Sequence, residues 1–284
     1  MNEAKTFTTT VGRDTITVET GKLANQAGGA VTVRLGDTVV LTTATMARSP
    51  REGIDFFPLS VEYEERLYAA GRIPGSFFRR EGRPSESSIL VCRLTDRPLR
   101  PLFPEDFRND VQIVITSLSS DTEHQVDILA INGASAALTI SEIPFQGPIG
   151  AVRVGYIDGK FIVNPTSTEM DNSQLDLRIA GTADAILMVE CGANELPEAV
   201  MVEALEFGHQ ALQPMVELQN KMRAQLGRPK NDSYPKFGVP AEVFAAVKAK
   251  IGSGIEGIME KGGSKADIND AMEALQKSIV EAFK

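Results

Sequence analysis

Between Arg66 and Arg108 the chain carries nine arginines and no lysine, and no lysine occurs anywhere between Lys22 and Lys160. A planar guanidinium makes bidentate contacts to phosphate oxygens and also stacks on a base, so this consistent choice of arginine points to a phosphate-bearing ligand. Within the stretch, Phe77 and Phe78 are followed directly by Arg79 and Arg80, and Gly71, Gly75 and Gly82 bracket them. Flat apolar faces beside cations on a glycine-rich loop are what sequence-tolerant binding of a single nucleic-acid strand uses. The plainer alternative is a loop with its aromatics packed inward and its arginines solvated. Arg83, Arg93, Arg97 and Arg100 supply further cations for a nucleic-acid backbone or a small anion. Their plainer alternative is ion pairing with Asp96, Glu86, Glu105 or Asp106, and surface pairs of that kind add little stability.

This basic stretch sits on an acidic body. The 284 residues carry a formal net charge of −9, which argues against a polycation that coats duplex DNA and confines any nucleic-acid contact to a local patch. Cys92 and Cys191 are the only cysteines, and their spacing from each other and from His124 and His209 suggests neither a disulfide framework nor a zinc site. No Ser–His–Asp arrangement is evident, and the glycines at 28, 29, 252, 254, 262 and 263 read as turns, not as a dinucleotide fingerprint. The amino terminus is polar and strand-like, and no apolar run is long enough to span a bilayer. The expectation is a soluble, cytoplasmic protein without a membrane partner.

The elements that must position these residues follow from periodicity. Alternation over Thr15–Glu19, Ala30–Leu35 and Thr38–Met46 predicts strands, the last two joined as a hairpin across Gly36-Asp37, and Phe56–Tyr63 and Val111–Leu118 predict two more. Glu86–Arg97 reads as a helix with Ser85 as its N-cap and Pro98 as its stop, which puts Arg93 and Arg97 on one face. Val126–Ser141, rich in Ala, Leu and Ile, reads as a buried helix ended by Pro144. A second hairpin is expected over Ala151–Ile157 and Lys160–Asn164 across Asp158-Gly159, then strands at Leu175–Ala180 and Ala185–Cys191, then a long amphipathic helix from Pro197 to about Leu226. Gly227–Pro240 is polar with three prolines and reads as a linker. Beyond it, Ala241–Ile251 and Ala266–Phe283 have helical spacing, with Gly252–Gly263 either a loop or a weak helix.

Two long motifs, FFRREGRPSESSILVCRLTDRPLRPLFP and LDLRIAGT followed by AILMVECGANELPE, resemble those of the bacterial polynucleotide phosphorylases. Residues 1–226 resemble the first of that family's two RNase PH-like halves, and residues 241–284, after the linker at 227–240, resemble the helical domain between the halves. The resemblance implies an α+β fold of mixed sheets with packed helices, followed by a small all-α domain. It also implies a phosphate-dependent 3′-to-5′ exoribonuclease of mRNA degradation, a homotrimeric ring with a central channel, single-stranded RNA as partner, and contacts with RNA-degradation complex proteins. In that family the loop matching Phe77, Phe78, Arg79 and Arg80 narrows the channel entrance. Mg²⁺ and inorganic phosphate belong to the whole enzyme and act in the other half, so no cofactor is expected in this chain.

The same resemblance bears on whether this half is catalytic. Attack of phosphate on a phosphodiester brings two anions together and needs an anion cradle and a divalent metal held by carboxylates. The family's metal motif has two aspartates six positions apart; the second matches Asp176, while the first falls on Met170, which cannot ligate a hard cation. Neighbouring Glu169 and Asp171 point elsewhere if the segment is extended. The family's phosphate-cradling serines fall on Gln125, Val126 and Asp127, and a carboxylate there repels phosphate. The expectation is a catalytically silent half that guides RNA. Its alternatives are an autonomous phosphorolytic RNase using Asp176, a structural module whose arginines face a neighbouring subunit, and a pocket in which Arg93, Arg97 and Arg100 hold a metabolite anion.

Overall fold

Strands dominate residues 5–64, and most of their apolar positions alternate onto one buried face. The computed structural model describes residues 4–283. Strands β1 (Lys5–Val11), β2 (Asp14–Thr20), β3 (Gly29–Leu35), β4 (Thr38–Met46) and β5 (Leu59–Glu64) lead to helix α1 (Glu86–Leu99), β6 (Val111–Ser119) and helix α2 (Val126–Ile140). Then come β7 (Gly150–Ile157), β8 (Lys160–Val163), the single turn α3 (Ser167–Met170), β9 (Leu175–Gly181), β10 (Ile186–Ala193) and the long helix α4 (Glu198–Leu226). One sheet has the order β1-β2-β3-β4-β6-β5 and the other β10-β9-β7-β8. Every pairing is antiparallel except β5 with β6, which makes the first sheet mixed.

The centre of this unit is α2, buried from Asp127 to Ile140 and packed against β3, β4 and β7. Small residues let it approach closely. A Cβ on Gly29 would lie 2.0 Å from the carbonyl oxygen of Ala137, and one on Gly133 would lie 2.5 Å from Thr42 Oγ1. Two of its polar residues are satisfied by backbone: Asn132 exchanges two 2.9 Å hydrogen bonds with Ala151, and Ser135 Oγ accepts one from Ile149 N. Those bonds tie α2 to the start of β7 and set the height at which the first turn of α2 meets Arg153. No described helix is long and apolar enough to cross a membrane.

Several boundaries differ from expectation, each for a local reason. The strand expected from Phe56 begins at Leu59, because Phe57 leaves the sheet to pack on Phe103 and Phe107, at ring distances of 4.6 and 5.3 Å. Pro98 does not stop α1: the chain remains helical to Leu99 and continues as a 3-10 turn over Arg100–Leu102, with Arg100 N donating to Asp96 O. Helix α2 ends before Pro144, at Ser141, whose hydroxyl donates to the carbonyl of Leu138. The segment holding Glu169, Met170 and Asp171 is not extended; Thr166 and Glu169 form a capping box that winds it into α3.

The linker also needs correction. The first compact unit runs to Lys236, since residues 228–231 bond back to the end of α2 and Tyr234 packs on Phe107, and residues 235–240 separate that segment from the next helix. The second unit, from Phe237, is all helical: α5 (Ala241–Ile251), α6 (Gly254–Lys261) and α7 (Lys265–Ala282), the last opened by a capping box between Ser264 and Asp267. The glycine-rich stretch left open as loop or weak helix is therefore helical over 254–261, bounded by Gly252 and Gly262 in left-handed backbone conformations, φ 51° and 62°.

Candidate functional site

Phe77 and Phe78 are 94 % and 72 % exposed, so the loop does not tuck its aromatics inward. The two rings meet edge to face at 5.5 Å, and the Arg80 guanidinium lies 5.3 Å from the centroid of the Phe78 ring. Arg79 adopts a left-handed φ of 50°, its N–H donates to Ser76 O, and Ser76 Oγ donates to Arg80 O, which closes the tip into a tight turn. The base is held by Glu81, whose carboxylate accepts from Leu67 N, and exposed Arg83 lines a cleft of about 450 Å³ there with Glu64, Glu65, Ser85 and Ser88. The result is an anchored turn that presents two π faces and two cations to solvent.

The α1 arginines have three different fates. Arg100 makes a two-point contact with Asp96, at 2.9 and 2.7 Å, and donates to the carbonyls of Phe57 and Leu59; it fastens the end of α1 to the entry of β5. Of the two readings for Arg100, the structure thus supplies the ion pair with Asp96. Arg97 pairs at 3.0 Å with Glu190 on β10. Arg93 is exposed and has no partner among the described residues.

Asp176 and Asp127 enter a charge network that sequence reasoning missed. The β7–β9 register sets Arg153 directly opposite Arg178, a like-charge pair that is unfavourable unless anions intervene. Two do. Asp176 takes a two-point contact from Arg153, 2.6 and 2.8 Å, and lies 3.2 Å from Arg178 Nη2. Asp127, from the first turn of α2, accepts from Arg178 Nε at 2.7 Å and lies 3.9 Å from Arg153 Nη1. Glu190 closes the far side, 4.0 Å from Arg178, and passes the network on to Arg97. Burial opposes the ionised form of Asp176, but the Arg153 hydrogen bonds and the charges of Arg153 and Arg178 outweigh it and hold its pKa below the usual carboxylate value. Burial likewise opposes the Arg178 cation, and Asp127, Asp176 and Glu190 together raise its pKa.

Comparison with known proteins gives the family. The family models described as the 3′ exoribonuclease family, domain 1 and domain 2, match residues 14–144 and 147–211. The chain belongs to the 3′ exoribonuclease family. Curated relatives named polyribonucleotide nucleotidyltransferase include one from Dehalococcoides mccartyi strain 195, 49 % identical over 283 residues, 100 % of this chain and 39 % of the relative. Another, from Heliobacterium modesticaldum, is 50 % identical over 98 % of this chain and 39 % of its own length, and one from Thermomicrobium roseum is 57 % identical over 78 % and 28 %. The chain thus spans well under half the length of these relatives. Among solved structures, rice Rrp46 aligns with a TM-score of 0.58 at 14 % identity, covering 78 % of this chain and 95 % of that one. An Archaeoglobus fulgidus exosome with RNA bound to the active site aligns at 0.55 and 20 % identity, covering 78 % and 88 %. These two likenesses confirm the RNase PH-like α+β fold.

In this member of the exoribonuclease family the residues around Asp176 do not fit a divalent cation. Its carboxylate is occupied by two guanidinium groups, Asp127 is bridged to it by the same arginines, and the described residues hold no cluster of three or more metal-ligating side chains. Glu169 is no substitute: two-point hydrogen bonding from Arg13, with the Thr166 amide, draws its pKa down to about 2. Met170 lies at the end of α3, Val126 opens α2, and Gln125 is the N-cap of α2 without a side-chain cap bond. Arg153 and Arg178 carried a faint signal in the sequence, as the only arginines of β7 and β9.

Proposed function

We propose that this chain is the amino-terminal, non-catalytic and RNA-guiding part of a phosphate-dependent 3′-to-5′ exoribonuclease of the polynucleotide phosphorylase type, acting on single-stranded RNA in cytoplasmic mRNA degradation. The observation that carries the RNA role is the solvent-exposed turn with Phe77, Phe78, Arg79 and Arg80 at its tip. Stacking on such rings tolerates any base, and the arginines follow the backbone, with Arg83 and Arg93 extending the cationic track. Catalytic silence is supported by the Asp127–Arg178–Asp176–Arg153 network, which leaves no carboxylate for Mg²⁺ and sets Asp127 where a phosphate would need a neutral cradle. Mg²⁺ and inorganic phosphate serve the other half of the whole enzyme. That whole enzyme is read as a homotrimeric ring, with RNA-degradation complex proteins as further partners.

Binding of a short fluorescent single-stranded RNA to this chain, followed by anisotropy across a salt series, tests the reading. Arg79→Ala with Arg80→Ala should weaken binding and flatten its dependence on salt with the fold intact. Release of nucleoside diphosphate with Mg²⁺ and phosphate should be absent from the wild-type chain. Release that disappears in Asp176→Ala would instead establish an autonomous phosphorolytic RNase.

One observation favours a second role for α1. Ile89 and Leu90 are 52 % and 55 % exposed on the helix that carries Arg93, and an apolar pair beside an arginine suits a contact with a neighbouring subunit. In that reading Arg93 faces protein, and Arg93→Ala alters assembly measured by light scattering without changing RNA affinity.

A further inference from the structure

We propose that residues 228–234 form a releasable strap, latched by Lys230 onto the carboxyl end of α2, and that its release lengthens the tether between the two folded units. The last carbonyls of a helix have no partner inside it and gather the negative end of its dipole. At α2 these groups meet one cation: Lys230 Nζ donates to the carbonyls of Leu138, Ser141 and Thr139 at 2.7, 2.8 and 3.2 Å. Around this latch the strap makes few other bonds. Arg228 N donates to Ile140 O at 3.0 Å, Asn231 N to Glu142 O at 2.7 Å, and the Arg228 side chain pairs with Glu142.

Its apolar hold is equally slight. Tyr234 packs edge-on against the buried Phe107 at 4.8 Å, with its hydroxyl 3.4 Å from Asp106, while Arg228, Pro229, Asp232 and Ser233 are exposed. A segment with few buried apolar contacts and solvent-facing hydrogen bonds opens well below the free energy of the core beneath it. Opening changes one quantity sharply. With the strap docked, the tether is residues 235–240 and reaches at most about 21 Å; released, it is residues 227–240 and reaches about 50 Å. The three prolines in that stretch stiffen it without giving it another docking element. The latch therefore governs how far the helical unit can move from the RNase PH-like unit.

Amide hydrogen exchange on the whole 284-residue chain tests this, with Lys230→Met as the variant. Exchange at Arg228 and Asn231 should quicken at least about tenfold, as expected for losing charge-assisted bonds, while amides inside α2 and β6 keep their rates. Unchanged rates at Arg228 and Asn231 would overturn the proposal, and so would equal acceleration throughout the first unit, because the strap would then belong to the core's own cooperative unfolding. A measurement on the unaltered chain guards against a variant that fails to fold: those two amides should already exchange faster than Ile113 in β6, and protection equal to that of Ile113 would also overturn it.

Discussion

At the residue scale the molecule turns on four charges. Arg153 is almost wholly buried and holds Asp176, so Arg153→Met leaves a carboxylate without its main partner and should lower stability by about 3 kcal/mol in urea unfolding. The pH dependence has a definite sign. Asp176 has a folded pKa below its ordinary value of about 3.9, so its contribution is fully present above that value and is lost as pH falls through the folded pKa. Asp176→Asn should therefore be less stable than the parent at pH 7, and the gap should narrow once pH drops below about 4. A gap that stays constant to pH 3 would mean that the carboxylate's charge contributes nothing. Phe77→Ala or Phe78→Ala should each weaken RNA binding by about 1–3 kcal/mol, with the melting temperature unchanged because neither ring is buried. Asp127 and Asp176 were legible in the sequence by motif. Arg153 and Arg178 were not, because their roles depend on a strand register that pairs them with each other.

At the scale of elements, the close approach of α2 to the first sheet holds the network in place. Gly29 sits where β3 passes the carbonyl of Ala137, so Gly29→Ala forces backbone against backbone and should cost about 1–3 kcal/mol, read as a lower urea midpoint at unchanged slope. The same displacement would lift Asp127 from Arg178, and RNA binding at the distant Phe77–Arg80 turn should be unaffected. Helix α1 shows how far periodicity reaches. Its N-cap Ser85 and first turn followed from local sequence, since the cap hydroxyl accepts from Ser88 N three residues on. Its end did not, because Arg100 bonds Asp96 and the carbonyls of Phe57 and Leu59, and the last two lie some forty positions away in the chain. The turn of α3 was missed for a related reason: four residues are too few for a period, and its capping box is reinforced by Arg13, 156 positions distant.

At the scale of the whole molecule, an acidic body with a local arginine-rich surface makes salt the natural probe. A formal charge of −9 opposes nonspecific approach of RNA, so whatever binding occurs should come from the few arginines of the exposed turn. The affinity should fall with rising salt on a slope set by a small number of phosphate contacts, and a steep slope of ten or so would contradict a local site. The division into two units, at Lys236 and Phe237, separates the RNase PH-like fold of the first from the three helices α5, α6 and α7 of the second.

What the sequence by itself determined is what depends on neighbours in the chain: the strand alternation, the buried stretch from Val126, the Ser85 cap, the Phe77–Arg80 loop between glycines, and the motifs that place the chain among 3′ exoribonucleases. Only the tertiary structure decided which charges meet. Asp127, Arg153, Asp176 and Arg178 come from a helix and two strands, and their pairing follows from the β7–β9 register and from the height at which Asn132 fixes α2 over β7. The strap was hidden for the same reason: Lys230 reads as one more linker lysine until the end of α2, ninety residues earlier, supplies the carbonyls that bind it. Local pattern reflects backbone propensity and burial, whereas ion pairing between distant segments is settled when packing chooses one register and one approach distance.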